Sequence, residues 1–129
     1  MSQLLQSTSK ENKEFLILIW DLHPDASVTI SEMVKSCGYQ TATVKDVKNN
    51  IWRQINFDVV LLDIGHARPI DLDTGRMIKS LQPQIKLIAT SAYLGESTPL
   101  HAEFIDRFLA KPFTLNALRA ALEKVTGLS

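Results

Sequence analysis

One cysteine, no excess of either charge and no long apolar run are the first features of this 129-residue chain. Cys37 cannot form an internal disulfide, and no Cys/His spacing resembles a zinc site, which excludes a disulfide scaffold and a small zinc module. A reducing cytoplasm is the expected location, with Cys37 a small core residue. Fourteen basic and fourteen acidic residues cancel, so no net field favours nucleic acid or an anionic membrane, and no basic stripe or helix-turn-helix is visible. The opening MSQLLQSTSKENKE lacks the apolar centre of a signal peptide, and no apolar run approaches membrane-spanning length. What the chain does have is 45% hydrophobic residues, enough for one real core. The division expected is a flexible polar arm over 1–14 and a single folded domain over 15–129.

FLILIW, from Phe15, is a continuous apolar run of strand length, the pattern of a strand buried on both faces. Pro24 and Asp25 then open a helix, in which Ile30, Met33, Val34 and Cys37 recur at helical spacing before Gly38. TATV is a short second strand. DVKNNIWRQIN follows as a helix with Val47, Ile51 and Ile55 on one stripe. FDVVLLD is the clearest buried strand, GRMIKSL a helix with Met77, Ile78 and Leu81 on one side, and IKLIATS a further strand. A weaker helix is expected over roughly 99–105, RFLA is the last strand, and Thr114 caps a final helix that carries Leu115, Leu118, Leu122 and Val125 before Gly127. Regular strand–helix alternation implies an α/β fold: a doubly wound, five-stranded parallel sheet joined by right-handed crossovers and covered by helices on both faces.

In such sheets chemistry collects at the carboxyl ends of the strands. The residues there are Asp21, Asp63, Ser91 and, just past the last strand, Lys111. A lone carboxylate after a strand is usually a turn or capping residue. Two of them on one edge repel unless a cation neutralises them, and hard oxygen ligands suit Mg²⁺, while a lysine adds a point charge for an anion.

At these positions the chain resembles the receiver domains of two-component response regulators, through ILIWD, FDVVLLDI, IATSA and, most specifically, FLAKPF. The resemblance spans nearly everything from Phe15 to Val125. It implies a flavodoxin-like fold of five βα units in three layers. Asp63 becomes the phosphoacceptor, taking a phosphoryl group from a phosphohistidine on a histidine kinase or phosphotransfer protein. Asp21, Asp63 and the Gly65 backbone carbonyl become the Mg²⁺ ligands, and Lys111 and Ser91 catalytic partners. Ser91 and Phe108 become the coupled switch that remodels the surface of the fourth helix, fifth strand and fifth helix for a downstream protein. By itself Phe108 reads as core packing. No turnover enzyme is implied beyond self-phosphorylation and hydrolysis, and neither nucleic acid nor membrane is an expected partner.

The departures from the family pattern are specific. Receivers carry two adjacent acids after the first strand, and here the pair reads Asp21-Leu22. Losing a unit charge about 4 Å from the ion removes roughly 4 kcal/mol at an effective dielectric near 20, so metal binding is expected to weaken. Leucine there predicts burial or docking. The loop Gly65–Thr74 looks extended; its Asp71 and Asp73 could supply the missing ligand, but read more naturally as turn or capping acids. The family's Gly-Ala pair before the last strand is missing, and Pro99 interrupts that region. These differences favour, as an alternative, a phosphorylation-independent pseudo-receiver acting as a protein-interaction module. DLHPDA also resembles the Asp-x-His-x-x-Gly motif of cobalamin-binding domains, but Ala26 replaces the glycine; that is a remote third reading, with His23 a loop residue near the acids.

Overall fold

The computed structural model describes residues 14–44, 51–94 and 102–127. Its elements are β1 (Leu16–Trp20), α1 (Pro24–Ser36), β2 (Gln40–Thr43), a 3₁₀ turn (Ile51–Gln54), β3 (Val59–Asp63), α2 (Pro69–Leu81), β4 (Lys86–Ser91), β5 (Arg107–Ala110) and α3 (Leu115–Thr126). The strands form one sheet in the order β2-β1-β3-β4-β5, with every neighbouring pair parallel. This is the expected doubly wound sheet, and the strand order reverses between β1 and β3. The residues where the 1–14 arm was expected lie, up to position 13, outside the described ones.

Alternation along the strands assigns the two faces. Ile17, Ile19, Val59 and Leu61 pack with Ile30 and Val34 of α1 and Leu118 and Leu122 of α3. Their neighbours Leu18, Val60 and Leu62 turn to the other side, against Ile78 of α2, Trp52, Phe57 and Phe104. Burial of both faces is what a continuous apolar run encodes. Cys37 is buried on the first side, and burial pushes its thiol up, which suits a packing residue. Thr114 caps α3 by accepting the Ala117 N–H at 3.0 Å, and Gly127 ends it at φ 76°. Among the described residues no helix is long and apolar enough to cross a membrane.

Four expectations change. The helix expected over 46–56 is, where described, only the 3₁₀ turn, and 45–50 lie outside the described residues. The Gln82 amide nitrogen closes the end of that turn by donating to the carbonyls of Trp52 (2.9 Å) and Ile55 (3.0 Å). Of the helix expected over 99–105, the described residues form a turn closed by the Ile105 N–H on the Ala102 carbonyl at 3.0 Å. Leu81, expected on the inner stripe of its helix, is exposed, while Ile78 in the same turn is buried.

The fourth change concerns the loop Gly65–Thr74, which is not extended: α2 begins at Pro69, so most of that segment is helix. Proline suits a first helical position, and Asp71 satisfies the start by accepting the Arg68 backbone N–H at 3.0 Å. Gly75 then falls inside the helix, under the Phe104 ring. A Cβ at Gly75 would lie 2.3 Å from Phe104 Cε2 and 2.7 Å from Cδ2. Gly75→Ala gains helix propensity of about 1 kcal/mol but must move a ring that is itself buried. A net loss of about 1–3 kcal/mol is expected, measured as a lower urea midpoint with an unchanged slope.

Candidate functional site

Asp21, Asp63, Ser91 and Lys111 do converge at the carboxyl edge of the sheet. Lys111 Nζ donates to Asp21 Oδ2 at 2.6 Å and lies 3.9 Å from Asp63 Oδ2. Its position follows from β5: the Lys111 backbone N–H donates to the Ser91 carbonyl at 2.8 Å, and the bond to Pro112 is cis. The Asp21 side chain is only 2% exposed. Burial pushes its carboxyl up, but the Lys111 hydrogen bond, the His23 backbone N–H and the Lys111 charge together outweigh burial and hold it below the ordinary carboxylate value.

Three of these side chains also turn the chain. The Asp21 carboxylate accepts the His23 N–H at 3.0 Å, the Asp63 carboxylate accepts the Gly65 N–H at 3.1 Å, and Ser91 Oγ accepts the Tyr93 N–H at 2.9 Å. Each is an Asx- or Ser-type turn closing a strand. The structural and chemical readings of these positions therefore coexist: the residue that stops the strand is the one presented at the rim. Gly65 has φ 53°, a left-handed backbone that favours glycine.

Ser91 Oγ donates to the Gly65 carbonyl at 2.6 Å, so the hydroxyl and the carbonyl expected to face a metal are joined to each other. Phe108 is half-buried against the α2-side cluster. Asp71 bonds Arg68 through both oxygens, at 3.0 and 3.3 Å, and Asp73 bonds Arg76 at 3.0 Å. Arg68 is what holds the Asp71 carboxyl below the usual range. Neither loop acid takes the place of the missing one.

Leu22, expected to be buried or to dock, takes the exposed alternative. It is 79% exposed rather than buried, because the Asp21 turn directs it outward while the carboxylate turns in. It lines a small cleft of about 190 Å³ with Trp20, His23, Asp63, Gly65 and Asp71. Sequence reasoning placed His23 near the acids but gave it no part in the site. His23 Nδ1 lies 3.1 Å from Asp21 Oδ1 and 3.5 Å from Asp63 Oδ2. The signal was available: a residue two places after a strand-ending Asp is drawn back by the turn that Asp accepts. Also unforeseen is the stacking of His66 on Tyr93, centroids 3.7 Å apart, which ties the loops after β3 and β4 together.

Comparison with known proteins agrees with this fold. The fold is that of the receiver domain of two-component signalling proteins. Among particular relatives, the sensor histidine kinase RcsC of Salmonella typhi is 28% identical over 95% of this chain, which spans only 14% of that protein's length. No protein-family model matches the sequence. The receiver domain of a Pseudomonas aeruginosa sensor histidine kinase, solved with magnesium in its active site cleft, superposes with a TM-score of 0.68 at 22% identity, covering 88% of this chain and 98% of that one. The response regulator TrrA of Thermotoga maritima, solved with Mg²⁺-BeF, gives 0.69 at 23% identity over 86% and 98%. A pilus assembly-related protein of Burkholderia pseudomallei gives 0.77 at 17% identity over 94% and 96%.

Proposed function

We propose that this chain is a phosphoaccepting receiver in which Asp63 takes a phosphoryl group from a phosphohistidine on a kinase or phosphotransfer protein. The observation that carries the reading is the Asp21–Lys111–Asp63 constellation at the sheet's carboxyl rim, with a lysine ammonium 3.9 Å from the accepting carboxylate. An Asp63 oxygen forms the new O–P bond as the P–N bond of the donor breaks, and the leaving imidazole retains the electron pair and picks up a proton. Transfer of this kind needs mainly positioning and charge neutralisation. Lys111 offsets charge on the phosphoryl oxygens, and the Gly65 N–H holds the carboxylate in place.

The donor set fits a divalent cation, since oxygens of Asp21 and Asp63 and a ring nitrogen of His23 all lie within 4.8 Å of one another. Asp21, Asp63 and the Gly65 carbonyl would hold it, as the magnesium-containing fold neighbours suggest. Bound there, a divalent ion supplies positive charge to the transferring oxygens. The Gly65 carbonyl accepts the Ser91 hydroxyl and keeps a second lone pair for an ion. Release of that carbonyl lets the Ser91 hydroxyl turn toward a phosphoryl oxygen, and Phe108, in the neighbouring strand β5, moves with it to alter the surface around α3 and β5. The chain acts on itself rather than turning over a diffusible substrate.

Leu22, exposed where an acid is expected, favours one second reading: a pseudo-receiver that docks partners without phosphorylation. Incubation with acetyl phosphate and a divalent cation separates the two. A mass gain of one phosphoryl group that is absent in Asp63→Asn supports phosphoacceptance. An unmodified wild-type protein at saturating cation removes it and leaves the pseudo-receiver.

A further inference from the structure

Each carboxylate of the site turns one oxygen toward His23, and on Asp21 that oxygen, Oδ1, also accepts the His23 backbone N–H at 3.0 Å. Asp21 Oδ2 is held by Lys111, while Oδ1 faces His23 Nδ1 at 3.1 Å. Asp63 Oδ1 is held by the Gly65 N–H, while Oδ2 faces the same nitrogen at 3.5 Å. Two ligands about 2.1 Å from a common ion lie about 3.0–3.4 Å apart at octahedral or tetrahedral angles, so the 3.1 Å edge already has coordination length and the 3.5 Å edge lies just beyond it. The imidazole is anchored from below, because its own backbone N–H returns to Asp21 at 3.0 Å.

We infer that Asp21 Oδ1, Asp63 Oδ2 and His23 Nδ1 form a mixed oxygen–nitrogen site that prefers a first-row transition ion of the Zn²⁺ or Co²⁺ kind over Mg²⁺. The inference rests on the reading of this cleft as a cation-binding receiver site and changes which cation it selects. Imidazole suits zinc, cobalt and nickel, whereas magnesium demands oxygen and keeps its waters. The acid normally adjacent to Asp21 is replaced by an outward-pointing Leu22, and His23, one residue further, supplies the third donor instead. Coordination through Nδ1 uses its lone pair with the ring N–H on Nε2, and the His23 side chain is 73% exposed, so solvent can accept that N–H. Neither Asp71 nor Asp73 competes for the ion, since both are held by arginines.

The test is titration of the full chain with Mg²⁺, Zn²⁺ and Co²⁺, followed by calorimetry, by Trp20 fluorescence at the cleft wall and by the visible absorption of bound Co²⁺. Zn²⁺ and Co²⁺ are expected to bind about ten-fold or more tighter than Mg²⁺, with a histidine-dependent Co²⁺ spectrum. His23→Ala should weaken Zn²⁺ and Co²⁺ by about ten-fold or more while moving Mg²⁺ only slightly, and His23→Asp should shift the preference back toward Mg²⁺. Equal weakening of all three ions in His23→Ala, or Mg²⁺ binding as tightly as Zn²⁺ in the wild type, overturns the inference. The acetyl phosphate assay keeps the two ideas apart. An Asp63 adduct without ion selectivity refutes the site assigned here and spares the receiver; selectivity without an adduct does the reverse.

Discussion

Lys111→Met is expected to destabilise the protein by about 3–5 kcal/mol, the usual cost of leaving one member of a buried ion pair without its partner. Asp21 is almost wholly enclosed, and the 2.6 Å bond from Lys111 is its strongest compensation. The His23 backbone N–H remains in the variant but carries no unit charge. Urea unfolding at neutral pH measures the loss. The double variant Asp21→Asn/Lys111→Met should recover much of it, since an amide is far less costly to bury than a lone carboxylate. A double variant no more stable than Lys111→Met would show that the lysine stabilises by packing instead.

The same pair sets an acid dependence. Because the folded Asp21 carboxyl lies below its ordinary value, its stabilising contribution is complete above the unfolded value and is lost as pH falls through the lowered folded value. In Lys111→Met that carboxyl moves upward, so protonation relieves the buried charge. The stability difference between variant and wild type should therefore narrow as pH is lowered through the carboxylate range, and a gap that stayed constant would disconnect the lysine from Asp21.

Gln82→Ala is expected to cost about 2 kcal/mol or more, a large effect for a residue with no part in the site. Its amide oxygen accepts the Phe57 N–H at 3.1 Å, and its nitrogen serves the carbonyls of Trp52 and Ile55. Truncation takes these partners from the Phe57 N–H and the Ile55 carbonyl, while the Trp52 carbonyl keeps the Ile55 N–H at 3.2 Å; each loss is worth about 1–3 kcal/mol unless water reaches the group. Gln82→Glu gives a sharper measurement. At neutral pH its carboxylate faces two carbonyl oxygens and should be at least as damaging as alanine, recovering in acid when a proton restores one donor. Thermal unfolding across pH records both, and a Glu variant as stable as wild type at neutral pH would show the amide nitrogen to be unimportant.

The amino-acid order by itself determined the parallel sheet and its strand-end chemistry. FLILIW and FDVVLLD are apolar on both faces, which only a doubly covered strand tolerates, and each ends in a residue able to turn the chain. Thr114 and Gly127 marked the last helix for the same local reason: capping is chemistry between near neighbours. Tertiary structure decided what depends on distant partners. Gly75 looked like the end of a loop until Phe104 showed why a helix there needs no side chain. Gln82 is buried because it serves the carbonyl of a residue thirty positions earlier in the chain, a partner that no local pattern announces. His23 became a donor to the cleft only when β1 and β3 lay side by side, because a distance between the ends of two strands is written in their pairing and in no local pattern of residues.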